Sequence, residues 1–156
     1  MRKIRVLCIG RKQEAYLKSG IETYLKKLQR YCEIEFKTVR EATYSSGTTK
    51  QWHSKEWKEI QSHLHKSSFL IACDEKGSSL SSNAFARKLA DISMQGFSSI
   101  DFIIGGPYGL PVEVKKKANY VFSLSQMTFT HQMFRLLLIE QIYRAFTILK
   151  GEKYHH

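Results

Sequence analysis

Two short segments carry residue types that are unusual for simple connections between a strand and a helix. Residues 105–109 read GGPYG, and consecutive glycines let the backbone approach a ligand, or another part of the chain, very closely. Residues 123–129 read SLSQMTF, in which Met127 and Phe129 lie among small polar residues without a glycine or proline to form a tight turn. GGPYG fits an ordinary tight turn equally well. It matches neither GxGxxG nor GxxxxGKS/T, so a dinucleotide or nucleoside triphosphate is not indicated.

The ionisable residues that could do chemistry lie near the end of the chain. Arg135 lies close to the SLSQMTF segment, one turn into a long apolar stretch. We favour a phosphate or substrate contact for Arg135 over a structural ion pair. Glu140 and Arg144 have the i,i+4 spacing that predicts an ion pair on a helix surface.

The closing sequence GEKYHH joins Tyr154 to His155 and His156, groups that can bond phosphate or move a proton. Chain ends are usually frayed, so a chemical role for these three residues competes with a purely terminal one. The histidines of the chain show no spacing with cysteines or carboxylates that is typical of metal ligands, which predicts no metal site. No Ser-His-Asp, Cys-His or paired-carboxylate pattern stands out.

Length and composition limit the class of protein. A chain of 156 residues predicts one domain that spans residues 1–156. Twenty-five Lys and Arg against 14 Asp and Glu give a formal net charge of +11, which favours a polyanionic partner such as nucleic acid. Cys8, Cys32 and Cys73 have no CxxC spacing, which indicates a reducing compartment. No apolar stretch approaches the length of a membrane span, so we expect a cytosolic protein without membrane association.

The apolar pattern alternates between strand and helix periods along the chain. It predicts strands at residues 3–10, 33–40, 68–74, 100–104 and 120–124, and helices at residues 12–31, 52–66, 82–95, 111–117 and 131–150. Between them we expect a polar loop at residues 42–51 and a turn at Gly77.

This alternation predicts an α/β fold with a largely parallel sheet and helices on both faces. Ligands of such sheets lie at the carboxyl ends of the strands, so the loops after the third, fourth and fifth strands are the candidate site. The last helix is apolar well beyond a single stripe, and a second copy of the chain is the simplest way to cover it, which predicts a homodimer.

Three segments together resemble a known family. The sequences IIGGPYGL, SLSQMTFTHQMFRLLLIEQIYRAF and GEKYHH are similar to those of the bacterial 23S rRNA pseudouridine N3-methyltransferases, the ribosomal large-subunit methyltransferase H family of the SPOUT class. The resemblance covers the whole chain in length and element order and is densest from residue 105 onward. It implies a fold whose C-terminal part is threaded into a trefoil knot, a rare exception to unknotted chains.

The resemblance also implies a homodimer that binds S-adenosylmethionine in the knot, next to the subunit interface. The residues that match the family's cofactor-binding positions are Cys73, Gly105, Leu124, Ser125, Gln126, Met127, Thr128 and Phe129. Backbone groups there would hydrogen-bond the edge of the adenine, while Leu, Met and Phe side chains would cover its apolar faces. No metal is needed, because the sulfonium of this donor already makes the methyl group electrophilic.

The substrate implied by the resemblance is a pseudouridine in a stem-loop of 23S rRNA within the ribosome. Methylation of its N3 nitrogen requires loss of a proton. Arg135 would stabilise negative charge or grip phosphate, while Tyr154, His155 and His156 are candidates for binding the base and transferring the proton. Shape and ribosomal context would supply specificity, and the basic surface would supply affinity.

Two features depart from the family pattern. Cys73 stands where many relatives have a larger aliphatic residue, which a backbone contact would tolerate, and residues 42–57 have no counterpart that matches. Two other functions stay open. One is a non-catalytic RNA- or ribosome-binding module on the same fold. The other is a flavodoxin-like phosphate-ligand enzyme, which CIGRKQEAY after the first strand disfavours.

Overall fold

A five-stranded parallel sheet forms the centre of the computed structural model, which describes residues 3–154. Its strands are β1 (Lys3–Ile9), β2 (Glu33–Val39), β3 (Ser68–Ser79), β4 (Ser99–Ile104) and β5 (Tyr120–Ser123). They lie in the order β2-β1-β4-β3-β5, and every neighbouring pair is parallel. The predicted α/β fold with a parallel sheet is therefore confirmed.

Four helices connect the strands, a fifth follows the last strand, and together they cover both faces of the sheet. They are α1 (Ala15–Leu28), α2 (Thr49–Gln61), α3 (Ser82–Met94), α4 (Val112–Lys117) and α5 (His131–Leu149). Side chains of α1, α3 and α5 share one core with alternate strand residues, whereas Ile60 of α2 and Val114 of α4 belong to a second core on the opposite face. The alternation follows from the two-residue side-chain period of a strand.

Several sequence-based boundaries were wrong. The expected turn at Gly77 is part of β3, which continues past a register shift after Cys73 and pairs Ser78 with Phe122 and Ser79 with Ser123. The predicted loop at residues 42–51 is shorter, because Thr48 caps α2 in a capping box with Gln51. Helix α2 also ends at Gln61 rather than at residue 66.

Helix α5 matches its predicted span and carries the most buried polar groups of the helices. Its buried residues include Arg135 and Thr147 beside apolar ones such as Leu138 and Ile142. Residues along its other side, such as Leu137, are only partly covered. The helix begins directly after the SLSQMTF segment, so the sheet edge and α5 together position the candidate site.

Candidate functional site

The three candidate segments meet at the carboxyl ends of neighbouring strands. Cys73 of β3 lies in register with Ile104 of β4 on one side and with Phe122 of β5 on the other. Gly105 follows Ile104 directly, and Leu124 comes two residues after Phe122. Because β4, β3 and β5 are consecutive in the sheet, residues that are far apart in sequence share one edge.

The loop between β5 and α5 is shaped by side-chain hydrogen bonds rather than by glycine. Ser123 Oγ donates to the Ser125 carbonyl at 2.8 Å, and the Met127 amide donates to Ser125 Oγ at 3.0 Å. Thr130 Oγ1 then accepts from the Met133 amide at 3.2 Å and caps α5. Hydroxyl groups therefore supply the turn contacts, which explains why the segment needs no glycine or proline.

A pocket of about 280 Å³ lies between this loop, the start of α3 and the first turns of α5. Leu80, Ser82, Phe85, Phe122, Leu124, Ser125, Phe129, Leu137 and Gln141 line it. Three of the predicted cofactor residues, Leu124, Ser125 and Phe129, are among them. Sequence reasoning missed the contribution of α3 and α5, because Phe85 and Leu137 have the spacing of ordinary core residues.

The other five predicted cofactor residues lie around the pocket rather than in its lining. The Met127 side chain is 73% exposed, and Gln126 is exposed beside it. Thr128 Oγ1 donates to Glu75 Oε2 at 3.1 Å, which ties the loop to β3 just past Cys73. Cys73 is buried beneath the sheet edge, and Gly105 lies in the adjacent glycine loop.

The glycine loop folds back on itself. An added Cβ at Gly105 would come within 2.6 Å of the Gly109 carbonyl carbon, so only glycine allows this close approach. Gly106 and Gly109 form an isolated bridge, and Gly109 has a φ of +81°. The tight-turn interpretation is thus sufficient for these glycines. Gly105 nevertheless directly follows Ile104, the register partner of Cys73.

Burial and hydrogen bonding shift the pKa values of Cys73 and Asp74, at the register shift within β3, in opposite directions. Burial raises the pKa of the Cys73 thiol well above its ordinary value, so Cys73 is neutral and a poor nucleophile at neutral pH. Burial alone would also raise the pKa of Asp74. Hydrogen bonds from the Lys76 amide at 2.9 Å and Lys115 Nζ at 3.0 Å lower the pKa of Asp74 instead, so this carboxylate stays charged.

Arg135 is fully buried and fastens α5 to the loop after β1. Its guanidinium donates to the carbonyls of Ile9, Gly10 and Lys12 and to Gln13 Oε1, at 2.8 to 3.1 Å. Burial lowers the pKa of Arg135, and nearby Cys8 and Glu41 oppose that shift. Among the described residues, Arg135 Nε and Gln13 Nε2 are buried donors without a hydrogen-bond partner. Arg135 is therefore held by backbone oxygens rather than by an ion pair.

His131, one turn before Arg135, is a titratable group that sequence reasoning overlooked. Burial and the charge of Arg135 lower the pKa of His131, although Glu41 opposes them. The imidazole is therefore mainly neutral at pH 7 and able to accept a proton. The i,i+4 spacing of His131 and Arg135 could have indicated from the sequence that the two side chains are neighbours on the helix.

Tyr154 reaches the pocket through a chain of hydrogen bonds. Its hydroxyl donates to Glu140 Oε1 at 3.1 Å, and Gln141 Nε2 donates to Glu140 Oε2 at 2.7 Å. Gln141 Oε1 in turn accepts from Ser82 Oγ at 2.8 Å in the pocket wall. The predicted Glu140–Arg144 ion pair is present at 2.6 Å and joins the same network.

The Tyr154 hydroxyl is poorly suited to accept a proton. Burial and a hydrogen bond with Tyr24 raise the pKa of Tyr154 above its ordinary value, so it stays protonated near neutrality. Tyr154 and Arg135 are held by different parts of the molecule, the first by α1 and the middle of α5, the second by the loop after β1. His155 and His156 lie outside the described residues.

The part of the chain between residues 3 and 154 shows no group of three or more His, Cys, Asp or Glu that could hold a metal ion. Within those same residues, no helix is long and apolar enough to cross a membrane.

A parallel sheet with a pocket beside the ends of its strands is the arrangement in which α/β domains bind small organic ligands. Residues 2–155 match the family described as "Predicted SPOUT methyltransferase". The chain belongs to the SPOUT methyltransferase family and is a methyltransferase, which favours an enzyme over the binding module.

Similar proteins share one name. The chain is 41% identical over 157 residues to "Ribosomal RNA large subunit methyltransferase H" of Halothermothrix orenii, covering 98% of this chain and 99% of that protein. Proteins of the same name from Clostridium kluyveri and Clostridium perfringens strain 13 are 38% and 42% identical, each covering 97% of this chain and 98% of the relative. The resemblance seen in the sequence is thus confirmed.

A solved structure supports the fold. A probable methylase family protein from Haemophilus influenzae superposes with a TM-score of 0.53 at 14% identity, covering 98% of this chain and 70% of that one. At this identity the similarity concerns the fold alone.

Proposed function

We propose that this enzyme methylates N3 of a pseudouridine in 23S rRNA of the large ribosomal subunit, with S-adenosylmethionine as the methyl donor. The observation that carries the proposal is the identity of about 40%, along the whole chain, to proteins named for ribosomal RNA methylation. The net charge of +11 suits an RNA substrate.

The direct test uses ribosomes from cells that lack this enzyme. Purified protein should transfer one labelled methyl group per ribosome from S-adenosylmethionine, and ribosomes that already carry the modification should accept none. Labelling that is equal on both kinds of ribosome, or absent from both, would contradict the proposed substrate.

The donor site that we propose consists of the pocket and the residues around its rim. Leu124 and Phe129 supply apolar walls and Ser125 and Gln141 supply hydrogen-bonding groups, a mixture that suits a nucleoside. Backbone groups of Cys73 and Gly105, with Gln126, Met127 and Thr128, would complete the site along the sheet edge. When bound, the donor supplies an electrophilic methyl group. The residues of the chain hold and orient it and exclude water.

Calorimetric titration with S-adenosylmethionine tests this donor site. The wild-type protein should bind one donor per chain, and Phe129→Ala should weaken binding because an apolar wall is lost. Met94→Ala is the control, since Met94 is 77% exposed at the far end of α3. Absence of binding heat from the wild type, or equal weakening in both variants, would overturn the assignment.

For the substrate we propose roles that follow from these contacts. Arg135 contributes a fixed positive charge near the strand ends, because a direct phosphate grip would require it to leave four hydrogen bonds. Tyr154, with its retained proton, binds and orients the base. We assign proton transfer to His155 and His156, which follow Tyr154 in the chain.

Two changes test these roles separately. Truncation after residue 153 should abolish methyl transfer while donor binding persists. Arg135→Ala should lower both methyl transfer and stability, because buried carbonyls lose their donors, whereas Arg135→Lys should recover part of the activity by keeping the charge. Wild-type rates in both the truncated chain and Arg135→Ala would refute the roles.

We also propose that two copies of this single-domain chain form a homodimer in the cytosol. Support comes from the partly covered apolar side of α5 and from the exposed apolar side chains of Met127 and Phe129 at the pocket rim. Sedimentation at micromolar concentration should show a dimer, and a monomer would contradict it.

Together with the homodimer we propose that the C-terminal part of the chain forms a trefoil knot. The second half of β3 and the start of α3 each contact the C-terminal part, through Glu75 with Thr128 and through Ser82 with Gln141. These contacts are compatible with a threaded chain. A crystal structure whose chain could be pulled straight from both ends would contradict the knot.

A further inference from the structure

Three aromatic side chains form a cluster beside the glycine loop. Tyr108 of the GGPYG segment packs against Tyr44, with ring centroids 4.7 Å apart, and against Trp52 at 4.8 Å. The Tyr44 and Trp52 rings are 5.2 Å apart. Tyr108 remains 50% exposed, so much of its ring surface is not used within the chain.

Polar contacts fix the cluster in place. The Tyr44 hydroxyl donates to the carboxylate of Glu56, which is itself buried, and Trp52 Nε1 donates to the Ser46 carbonyl at 2.7 Å. His53 Nε2 lies 3.2 Å from the Tyr108 carbonyl, which joins α2 to the glycine loop. The exposed ring is therefore presented on a rigid support, and little conformational entropy is lost when a ligand stacks on it.

The surroundings of the cluster carry more positive than negative charge. The loops after β1 and β2 and the start of α2 lie on the same side as the glycine loop, because β2, β1 and β4 are adjacent parallel strands. Their exposed charged residues are Arg11, Lys12, Arg40 and Lys50 against Glu14 and Glu41. An exposed aromatic ring among cations is the combination that binds single-stranded nucleic acid, where the ring stacks on a base and cations track phosphates.

We propose that Tyr108, supported by Tyr44 and Trp52, is a stacking platform for an unpaired base of the RNA substrate. This inference rests on the proposed function and adds a substrate contact outside the residues assigned to the donor and to proton transfer. Tyr108 belongs to the same glycine loop as Gly105, which we assign to the rim of the donor site, so this loop would connect the stacked base to the donor. Such a contact orients a stem-loop whose bases are splayed out, which is how proteins read RNA loops.

Fluorescence of an RNA hairpin with 2-aminopurine in its loop tests the platform without requiring methyl transfer. Wild-type protein should quench the fluorescence by stacking, and Tyr108→Leu should lose the quench and bind the hairpin at least about five-fold more weakly. Tyr108→Phe and Tyr108→Trp should behave like the wild type, because both keep an aromatic face. Tyr16→Leu is the matched control, since Tyr16 is a 67% exposed tyrosine on α1.

With ribosomes as substrate, Tyr108→Leu should raise KM and leave kcat and donor affinity unchanged. Wild-type quenching and hairpin affinity in Tyr108→Leu would overturn the platform, even if ribosomes are still methylated as the proposed function requires. A shift from dimer to monomer with unchanged RNA binding would assign the cluster to a subunit interface and also overturn it. Failure of wild-type protein to methylate ribosomes would refute the proposed function, while the hairpin measurement would still decide the platform.

Discussion

Gly77 lies where β3 and β5 come closest, and its missing side chain is part of the site. An added Cβ would lie 2.7 Å from the Phe122 carbonyl carbon and 2.7 Å from the Val121 oxygen, both backbone atoms that cannot turn aside. Phe122 lines the pocket, and Ser123 starts the hydrogen bonds of the loop. The glycine is therefore required by space, since its φ is outside the left-handed region.

Gly77→Ala should cost about 1–3 kcal/mol of unfolding free energy, as overpacking does, and should weaken donor binding by displacing β5. Gly96→Ala is the control, because an added Cβ there meets no described atom within 4 Å while its φ of +82° makes a side chain strained. The control should lose about 1 kcal/mol of stability and keep donor affinity. Urea unfolding and calorimetry would measure both, and unchanged donor affinity in Gly77→Ala would contradict the role of this contact.

Three buried thiols make stability depend on alkaline pH, and burial raises the pKa of Cys73 as it does those of the other two. Burial raises the pKa of Cys8 to about 12 and that of Cys32 to about 11. Above the unfolded-state pKa of about 8.5, the unfolded chain releases these protons and the folded chain keeps them. Stability is then fully present below that pH and is lost as pH rises toward 11 and 12.

Urea unfolding at pH 8, 9 and 10 should therefore show a falling free energy of unfolding. Cys32→Val should reduce the slope, because one of the three buried thiols is removed. An identical slope in Cys32→Val and wild type would show that other groups govern the alkaline loss.

At the scale of elements, a local sequence signal, the capping box of Thr48 and Gln51, sets where α2 begins after the loop that starts at residue 42. Thr48 Oγ1 accepts from the Gln51 amide, and Gln51 Oε1 accepts from the Thr48 amide at 2.9 Å. This capping box starts α2 and so positions Trp52 against Tyr108.

Thr48→Ala should destabilise the protein by about 0.5–2 kcal/mol and speed amide exchange in the first turn of α2. Thr49→Ala, one residue further on, is the control and should have little effect, because Thr49 is exposed within the helix. Equal exchange rates in both variants would mean that the cap does not hold this end of α2.

Most element positions were predictable because their signals are local. The ten strands and helices follow from the spacing of apolar residues. The start of α2 was also marked by the Thr-x-x-Gln pattern at residues 48–51, but the surrounding polar residues made this segment look like a loop. The turn expected at Gly77 was wrong for another reason. Gly77 is needed because the β5 backbone lies too close for a side chain. This contact was not visible in the local sequence, because β5 comes more than forty residues later in the chain.

The site was predictable in outline only. The carboxyl ends of parallel strands must share an edge, so Cys73, Gly105 and Leu124 were expected near one another. The pocket walls from α3 and α5 could not be distinguished from core, since Phe85 and Leu137 have core spacing. The carbonyl partners of Arg135 follow from the path of residues 9–12, which no periodicity specifies.

At the scale of the whole molecule, one network joins the pocket to the C-terminal residues. It runs from Ser82 through Gln141 and Glu140 to Tyr154, so hydrogen bonds along α5 connect the pocket proposed for the donor with the proposed base-binding residue. Charge acts at the same scale, because +11 on a chain of this size attracts RNA over its whole surface. The sites that we propose for donor and base are therefore joined by one helix, α5.

Mass mapping of 23S rRNA tests this account most directly. In rRNA from a deletion strain, one pseudouridine-containing fragment should be lighter by a single methyl group. Treatment of the mutant ribosomes with the purified protein and S-adenosylmethionine should restore the mass of that fragment and change no other. Identical maps from the deletion and parent strains, or a restored methyl group on a different nucleotide, would contradict the account.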